Sequence, residues 1–417
     1  MADGEGAGCN VARGANFTRL GGFNQTVLFD AIRRTPQGIS RVELVSETGL
    51  TAQTVSNIVR RLLDQGMVVE GDRIQTAVRG KPRTLVRVQP SARFAVGVHI
   101  DPATLTFVLI NVAGGVCQYA RRRTPQAQGP EGVVAVIADQ VERLLSTSGV
   151  DRSSVLGLGV AAPGPLDAVE GLLLRPPQLA GWDKVRLRAD LHAVTGLHVL
   201  VDKDVTAAAT GEMWAHDGAR HSFIFCYLGS GIGAGVVVND EVLRGTTNNI
   251  GEIGNILVDG DAPDLGVGSR GSLAAACLPQ ALVVRAQRRG LVQAGVDSED
   301  FVGVDEVFTE ICERAYAGDT GCLGLIDDAG AGLAAGLAVM VNFLDVDRVV
   351  LGGPVWSRVS SRMLAVLPAL VRPQLVVPSR ALTLEGSAVG EQVAAQGAAA
   401  MVLDHFLSPR PSVLVMD

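Results

Sequence analysis

Aromatic side chains are scarce in this chain of 417 residues, at 4%. Its cores must therefore be assembled from Ala, Val and Leu rather than from stacked rings. Cysteine is sparse too: Cys9, Cys117, Cys226, Cys277, Cys312 and Cys322 are scattered and never form a CxxC pair. That spacing fits a reduced, intracellular protein better than a disulfide scaffold. Charged residues make up only 19%, yet hydrophobic residues reach 47%, which argues against disorder. No apolar run is expected to match the length of a membrane span. The first residues, MADGEGAGCNVARGAN, lack the charged and apolar regions of a signal peptide. The expectation is a soluble, cytoplasmic protein without a membrane partner.

What is abundant is glycine, with 50 residues, and the length calls for two or three domains. Charge is divided unevenly. Residues 1–90 hold 12 Lys+Arg against 8 Asp+Glu, a net +4, while the remainder carries −11 of the total −7. A small basic head suited to a polyanion precedes a larger acidic body.

After a polar arm (1–22), the head (23–90) opens with "FNQTVLFDAIRRTPQGIS", whose Val27, Leu28 and Ile32 share one helical face. Ser40 followed by Glu43 is a capping-box pattern, and Gly49 ends the short helix. Thr51 caps "AQTVSNIVRRLLDQG", with Val55, Ile58, Val59, Leu62 and Leu63 inward. Helix, glycine turn and helix is the geometry that lays the last helix in a major groove. Its outward residues are Gln53, Thr54, Ser56, Asn57, Arg60 and Arg61, polar for base edges and cationic for phosphates. Two strands then flank a basic loop carrying Arg79, Lys81 and Arg83, the wing of a winged helix. A small protein-binding module with a solvated charged face is the alternative.

From Phe94 onward strands and helices alternate in two similar halves, each beginning strand–turn–strand. That pattern predicts an α/β body of two lobes with a cleft between them. "VLVDKDVTAAATGEMWAHDG" places Asp202-Lys203-Asp204 between a strand and an alanine-rich helix. "FIFCYLGSGIGAGVVV" reads as a hairpin around a glycine loop, and another strand ends on Gly352-Gly353.

Taken in this order, the motifs resemble the ROK family of repressors and sugar kinases, over nearly the whole chain beyond its first twenty or so residues. The resemblance implies a winged helix–turn–helix before an actin-like (ribonuclease H-like) two-lobed sugar-kinase body at 91–407, with a tail at 408–417. It also implies where the kinase chemistry has eroded. The family's first phosphate turn, Asp-x-Gly-Gly-Thr, stands here as Asp101-Pro102-Ala103-Thr104-Leu105, whose Cβ atoms obstruct a phosphate. The Asn-Asp pair with the catalytic base falls on Lys203-Asp204, leaving Asp204 as a relic or a ligand contact. The second loop, Leu228 to Gly233, is kept but is explained by tight packing without a ligand. At the family's zinc segment Glu252 remains, the histidine is Asn255, the cysteine places read Leu265, Val267 and Ser272, and the closing Glu is Ala274. Leu and Val ligate no metal, so neither zinc nor another cofactor is expected.

The implied function is a DNA-binding regulator of carbohydrate-related genes that contacts double-stranded operator DNA as a homodimer or dimer of dimers. Its catalytically inactive body would sense a sugar or sugar phosphate near Lys203, Asp204, Glu252 and Asn255. Lys203 is expected to pair with Asp202 or Asp204, or else to face the cleft and favour an anionic ligand. Two alternatives stand beside this: a working sugar kinase with an attached DNA-binding head, and a regulator whose body receives a protein partner.

Overall fold

A computed structural model describes residues 17–74, 83–125, 129–176, 179, 181–215, 222–293, 295–377 and 381–409. Its contacts divide the chain into two compact units, 1–92 with 403–417, and 93–402.

The head contains α1 (Phe17–Arg33), β1 (Ile39–Ser40), α2 (Arg41–Thr48), α3 (Ala52–Asp64), β2 (Val68–Ile74) and β3 (Arg83–Val88). Helix α1 starts within the expected arm, across Gly21 and Gly22, residues of poor helix propensity. Leu28, Phe29 and Ile32 of α1, Leu44 of α2 and Val55, Ile58, Val59 and Leu62 of α3 are buried, whereas Val27 and Leu63 are half-buried. A three-stranded antiparallel sheet, ordered β1-β3-β2, completes the unit.

The first lobe of the body runs β4 (Phe94–Ile100), β5 (Thr104–Asn111), β6 (Val116–Arg123), α4 (Gly129–Ser148) and β7 (Val155–Ala162). The short β8 (Leu166–Asp167), β9 (Leu172–Leu174) and β10 (Asp183–Val185) form a separate small sheet. Helix α5 (Leu187–Thr195), β11 (Val199–Lys203) and α6 (Asp204–Ala215) follow. The second lobe runs β12 (Phe223–Leu228), β13 (Ile232–Val238), β14 (Glu241–Val242), α7 (Leu273–Cys277), α8 (Pro279–Arg288), α9 (Phe301–Tyr316) and α10 (Thr320–Leu344). It closes with β15 (Arg348–Gly352), α11 (Trp356–Val371), β16 (Thr383–Gly386) and α12 (Val393–Leu407).

The two main sheets repeat one topology. The orders are β6-β5-β4-β7-β11 and β14-β13-β12-β15-β16; in each, an antiparallel meander continues into two parallel strands. Each lobe has its own apolar core, and a third cluster joins α6 and α12 to the sheets. Small residues make that third contact possible. A Cβ on Gly159 would stand 1.8 Å from the Ala398 carbonyl oxygen, and one on Gly397 1.8 Å from that of Ala207. The abundant Gly and Ala thus bring backbones together where aromatics would hold them apart.

One expectation is corrected here. Helix α10 is long and apolar enough to cross a membrane. It is instead a core helix: Leu325, Ile326, Leu333, Leu337 and Val341 are buried in the second lobe, and it packs against α7, α9 and α11. Its small residues, read singly, hid the length of the run.

Candidate functional site

In the head, Ser40 and Glu43 form the full capping box: Ser40 N–H donates to Glu43 Oε2 at 2.9 Å and Glu43 N–H to Ser40 Oγ at 3.3 Å. The Ser40 hydroxyl holds the Glu43 carboxyl below its ordinary pKa, with Arg83 assisting from 3.7 Å. Gly49 ends α2 with φ 68°, a left-handed conformation that an L side chain disfavours. Two residues later Thr51 caps α3, accepting from Thr54 N–H at 3.2 Å.

These caps fix the start and direction of α3. With Val55, Ile58, Val59 and Leu62 inward, Gln53, Asn57, Arg60 and Arg61 are exposed and Thr54 and Ser56 half-exposed. Gln53 Nε2 donates to Asn57 Oδ1 at 3.2 Å, so the two amides are held together on the outer face. Arg83 is exposed at the start of β3, whereas Arg79 and Lys81 lie outside the described residues.

In the body, the chemistry gathers at the carboxyl ends of parallel strands, where α/β sheets ordinarily hold ligands. Asp101 follows β4, Lys203 ends β11, Gly229 follows β12 and Gly353 follows β15. Among the described residues Lys203 makes no ion pair with Asp202 or Asp204, the neighbours expected to hold it. Successive side chains of a strand alternate faces, so Lys203 and Asp202 diverge although adjacent. Asp202 is buried and paired with Arg244 at 3.0 Å. The Lys203 ammonium, 3% exposed, crosses to the other lobe. There it donates to Glu252 Oε1, to the Ile250 carbonyl at 3.0 Å and to the Asn249 carbonyl at 3.4 Å. Asn249 adds a reciprocal pair of bonds to Leu166 N–H and C=O, each 2.8 Å.

Asp204 heads α6 and accepts from Val205 N–H at 2.7 Å. Burial raises its pKa to about 6, against the pull of Lys203. Beside it lies a group that sequence reasoning missed. Tyr227 and His99 meet edge-on at 5.9 Å, and the Tyr227 hydroxyl is buried with no partner among the described residues. Burial disfavours charge on both, lowering the His99 pKa and raising that of Tyr227. Asn255 is not joined to this cluster by any bond among the described residues; it is exposed and accepts from Ser269 Oγ at 3.2 Å.

The glycine loop is committed to the protein itself. Gly229 N–H donates to the Gly231 carbonyl at 2.9 Å, and Ser230 Oγ donates across the cleft to Asp101 Oδ2 at 2.6 Å. Gly233 and Gly235 serve packing: a Cβ on Gly235 would meet the Val205 carbonyl at 2.4 Å. Around Asp101, Ala103, Thr104, Arg121, Ser230 and Gln280 the cavity is about 70 Å³, well below the several hundred Å³ typical of a ligand pocket.

At the family's zinc segment, Leu265 and Val267 are buried in the second-lobe core. Ser272 is buried and caps α7. Gly268 and Gly271 keep left-handed turns. Among the described residues no group of three or more His, Cys, Asp or Glu could hold a metal. Burial pushes the Cys226 pKa up to about 12 and that of Cys277 further in the same direction.

The ROK family profile matches residues 95–405, and a MarR family profile matches residues 22–73. The xylose repressor of Bacillus subtilis (strain 168) is 24% identical over 92% of this chain and 96% of its own length. A glucokinase of Halalkalibacterium halodurans is 29% identical over 64% of this chain and 81% of its own. A crystal structure of a ROK family transcriptional regulator, a homolog of the E. coli MLC protein, superposes with TM-score 0.73. It is 25% identical and covers 93% of this chain and 98% of that one. Relatives therefore include both repressors and glucokinases. With its profile spanning most of the body behind a MarR-type head, the chain belongs to the ROK family.

Proposed function

We propose that this protein is a cytoplasmic transcriptional regulator of carbohydrate-related genes, binding operator DNA through residues 23–90 and sensing an effector in a body at 91–407. The observation that carries the reading is the outer face of α3, where capped helix geometry presents Gln53, Thr54, Ser56 and Asn57 ahead of Arg60 and Arg61. Polar residues at the start of such a helix meet base edges, and cations further along meet phosphates. Arg79, Lys81 and Arg83 of the wing add phosphate contacts in this account. Two half-sites, read by a homodimer or a dimer of dimers, complete it.

The effector we assign to the cleft is a sugar or sugar phosphate, at Lys203, Asp204, Glu252 and Asn255, held without phosphoryl transfer. Phosphoryl transfer depends on aligning a hydroxyl, a base and a γ-phosphate together. Here Gly229 N–H and Ser230 Oγ are engaged within the protein and the adjoining cavity is small, so Asp204 acts as a ligand contact rather than a base. Lys203 bears on ligand choice. A neutral sugar that took Glu252 would leave a buried ammonium short of its anion, whereas a phosphorylated one would supply another.

Calorimetry with glucose, xylose and their phosphates, beside an ATP-consumption assay, tests this reading. Binding without turnover is expected. Sugar-dependent ATP turnover abolished by Asp204→Asn would restore a kinase.

A further inference from the structure

Another cavity in the body has neither Lys203, Asp204 nor Glu252 in its lining. It measures about 610 Å³ and lies in the second lobe between α8, α10 and the 258–272 loop. We propose that it is a second ligand site, taking a small organic molecule with one oxyanion, a carboxylate or a phosphate ester, through Arg285 and Arg288.

The walls are built rather than incidental. Val258 N–H and Asp259 N–H both donate to the Gly271 carbonyl, at 2.9 and 3.1 Å, and Leu257 bridges Ser272, so the loop is closed on itself. A Cβ on Gly332 would stand 2.5 Å from that of Ala276, which sets α10 tight against α7. Val258, Ala262, Pro263, Leu265, Ala275 and Ala331 give an apolar lining. The volume lies within the range of roughly 300–1,000 Å³ common to small-molecule sites.

One edge is cationic. Arg285 and Arg288 stand three residues apart at the end of α8, a spacing that puts both on one side. Arg289, beside them, is already paired with Asp328 at 2.8 Å. Arg288 gives Nη1 to the Asp264 carbonyl at 3.0 Å. Arg285 gives only Nη2, to the carbonyls of Ala275 and Ala276 at the end of α7. Neither Arg285 nor Arg288 has a carboxylate within ion-pair distance among the described residues.

A purely structural role accounts for Arg285 Nη2 alone. Among the described residues the half-buried guanidinium keeps Nε and Nη1 without a protein acceptor, and burial already lowers its pKa. Asp328 and Asp259 oppose that lowering without an ion pair to Arg285, and an anion bonded to the guanidinium would offset its desolvation more directly. Guanidinium groups take carboxylates and phosphates through paired N–H bonds, and the apolar lining suits the body of the ligand. Asp259 and Asp328 also line the cavity and disfavour a polyanion. The site also adjoins the cleft loop: Leu273 N–H and Ala274 N–H donate to the carbonyls of Ile256 and Gly254, close in chain to Glu252.

The test is thermal unfolding of the full chain with inorganic phosphate or benzoate, against chloride at equal ionic strength. A ligand that binds only the folded state raises the melting temperature. At least one anion is expected to stabilise wild type, Asp204→Asn and Arg60→Gln/Arg61→Gln alike. Phosphate alone would assign a phosphate ester, and benzoate alone a carboxylate. Arg288→Gln, at an exposed position, should raise the apparent Kd about tenfold, the worth of one charged hydrogen bond. Arg285→Gln/Arg288→Gln should abolish the shift while retaining operator binding as evidence of folding. Absence of any shift in wild type, or an undiminished shift in Arg288→Gln and the double variant, overturns the proposal.

Discussion

The ammonium of Lys203, at the end of a first-lobe strand, is bonded to the carboxylate of Glu252 in the second lobe. With the Asn249 and Ile250 carbonyls it completes three acceptors for three donors. A cation of the protein thus holds the two lobes together where the proposed effector would make its contacts.

Lys203→Met should therefore lower stability by about 1–3 kcal/mol, because two carbonyls lose their donor in a buried place. Glu252→Gln should also destabilise, because the amide oxygen still accepts but the ammonium, 3% exposed, loses its anion. Urea denaturation of the two variants measures this. Equal stability of Lys203→Met and wild type would show that the clasp contributes nothing.

Much of the frame was legible in the sequence because its signals are local. Ser40 with Glu43, Gly49 and Thr51 marked the helix boundaries of the head through short-range capping chemistry. The switch from strand to helix at Lys203-Asp204 was equally plain. The site was less so, because its bonds join distant residues: Arg244 to Asp202, Asn249 to Leu166 and Lys203 to Glu252. Adjacent charge suggested Asp202 or Asp204 for Lys203; strand alternation turns it away from Asp202, and on Asp204 it acts without an ion pair. Tyr227 and His99 carried no signal at all, being ordinary members of apolar strands. The polar stretch around Arg244 and Asn249 was a usable hint, since polar loops beside strands often carry function.

Asp204 gives a pH dependence. Its pKa rises from 3.8 to about 6 in the folded state, so the native protein binds more protons than the unfolded chain between those values. Stability contributed by this group accordingly falls as pH rises through that window and stays lower above it. Asp204→Asn should flatten this part of the profile and leave the variant relatively more stable at neutral pH. Chemical denaturation across the window checks it; parallel curves for wild type and variant would contradict the assignment.

The segment around Leu265 and Val267 should behave as core. Leu265→Ala removes a side chain buried in the second lobe and should cost about 2–5 kcal/mol. Leu257→Ala, at a position 67% exposed, should stay within about 0.5 kcal/mol. Similar costs for both would mean that Leu265 is not held by the core.

On DNA, the two ends of α3 should separate. Asn57→Ala should lose about 1–3 kcal/mol of discrimination between preferred and altered sites. Arg60→Ala/Arg61→Ala should instead weaken binding to all sequences and reduce the salt slope by about 1 for each phosphate no longer neutralised. Anisotropy titrations over a salt series distinguish the two. The opposite assignment of effects would reverse the helix orientation.

The central claim, that this ROK protein is a sequence-specific regulator, is tested most directly by selecting bound duplexes from a random library with the full chain. Competition of the selected sequence against non-specific DNA at physiological salt then gives the specificity ratio. The account predicts two half-sites about 10 bp apart, or a multiple of that, and a preference of roughly 10³ or more. A ratio near one, with no sequence enriched, would contradict it.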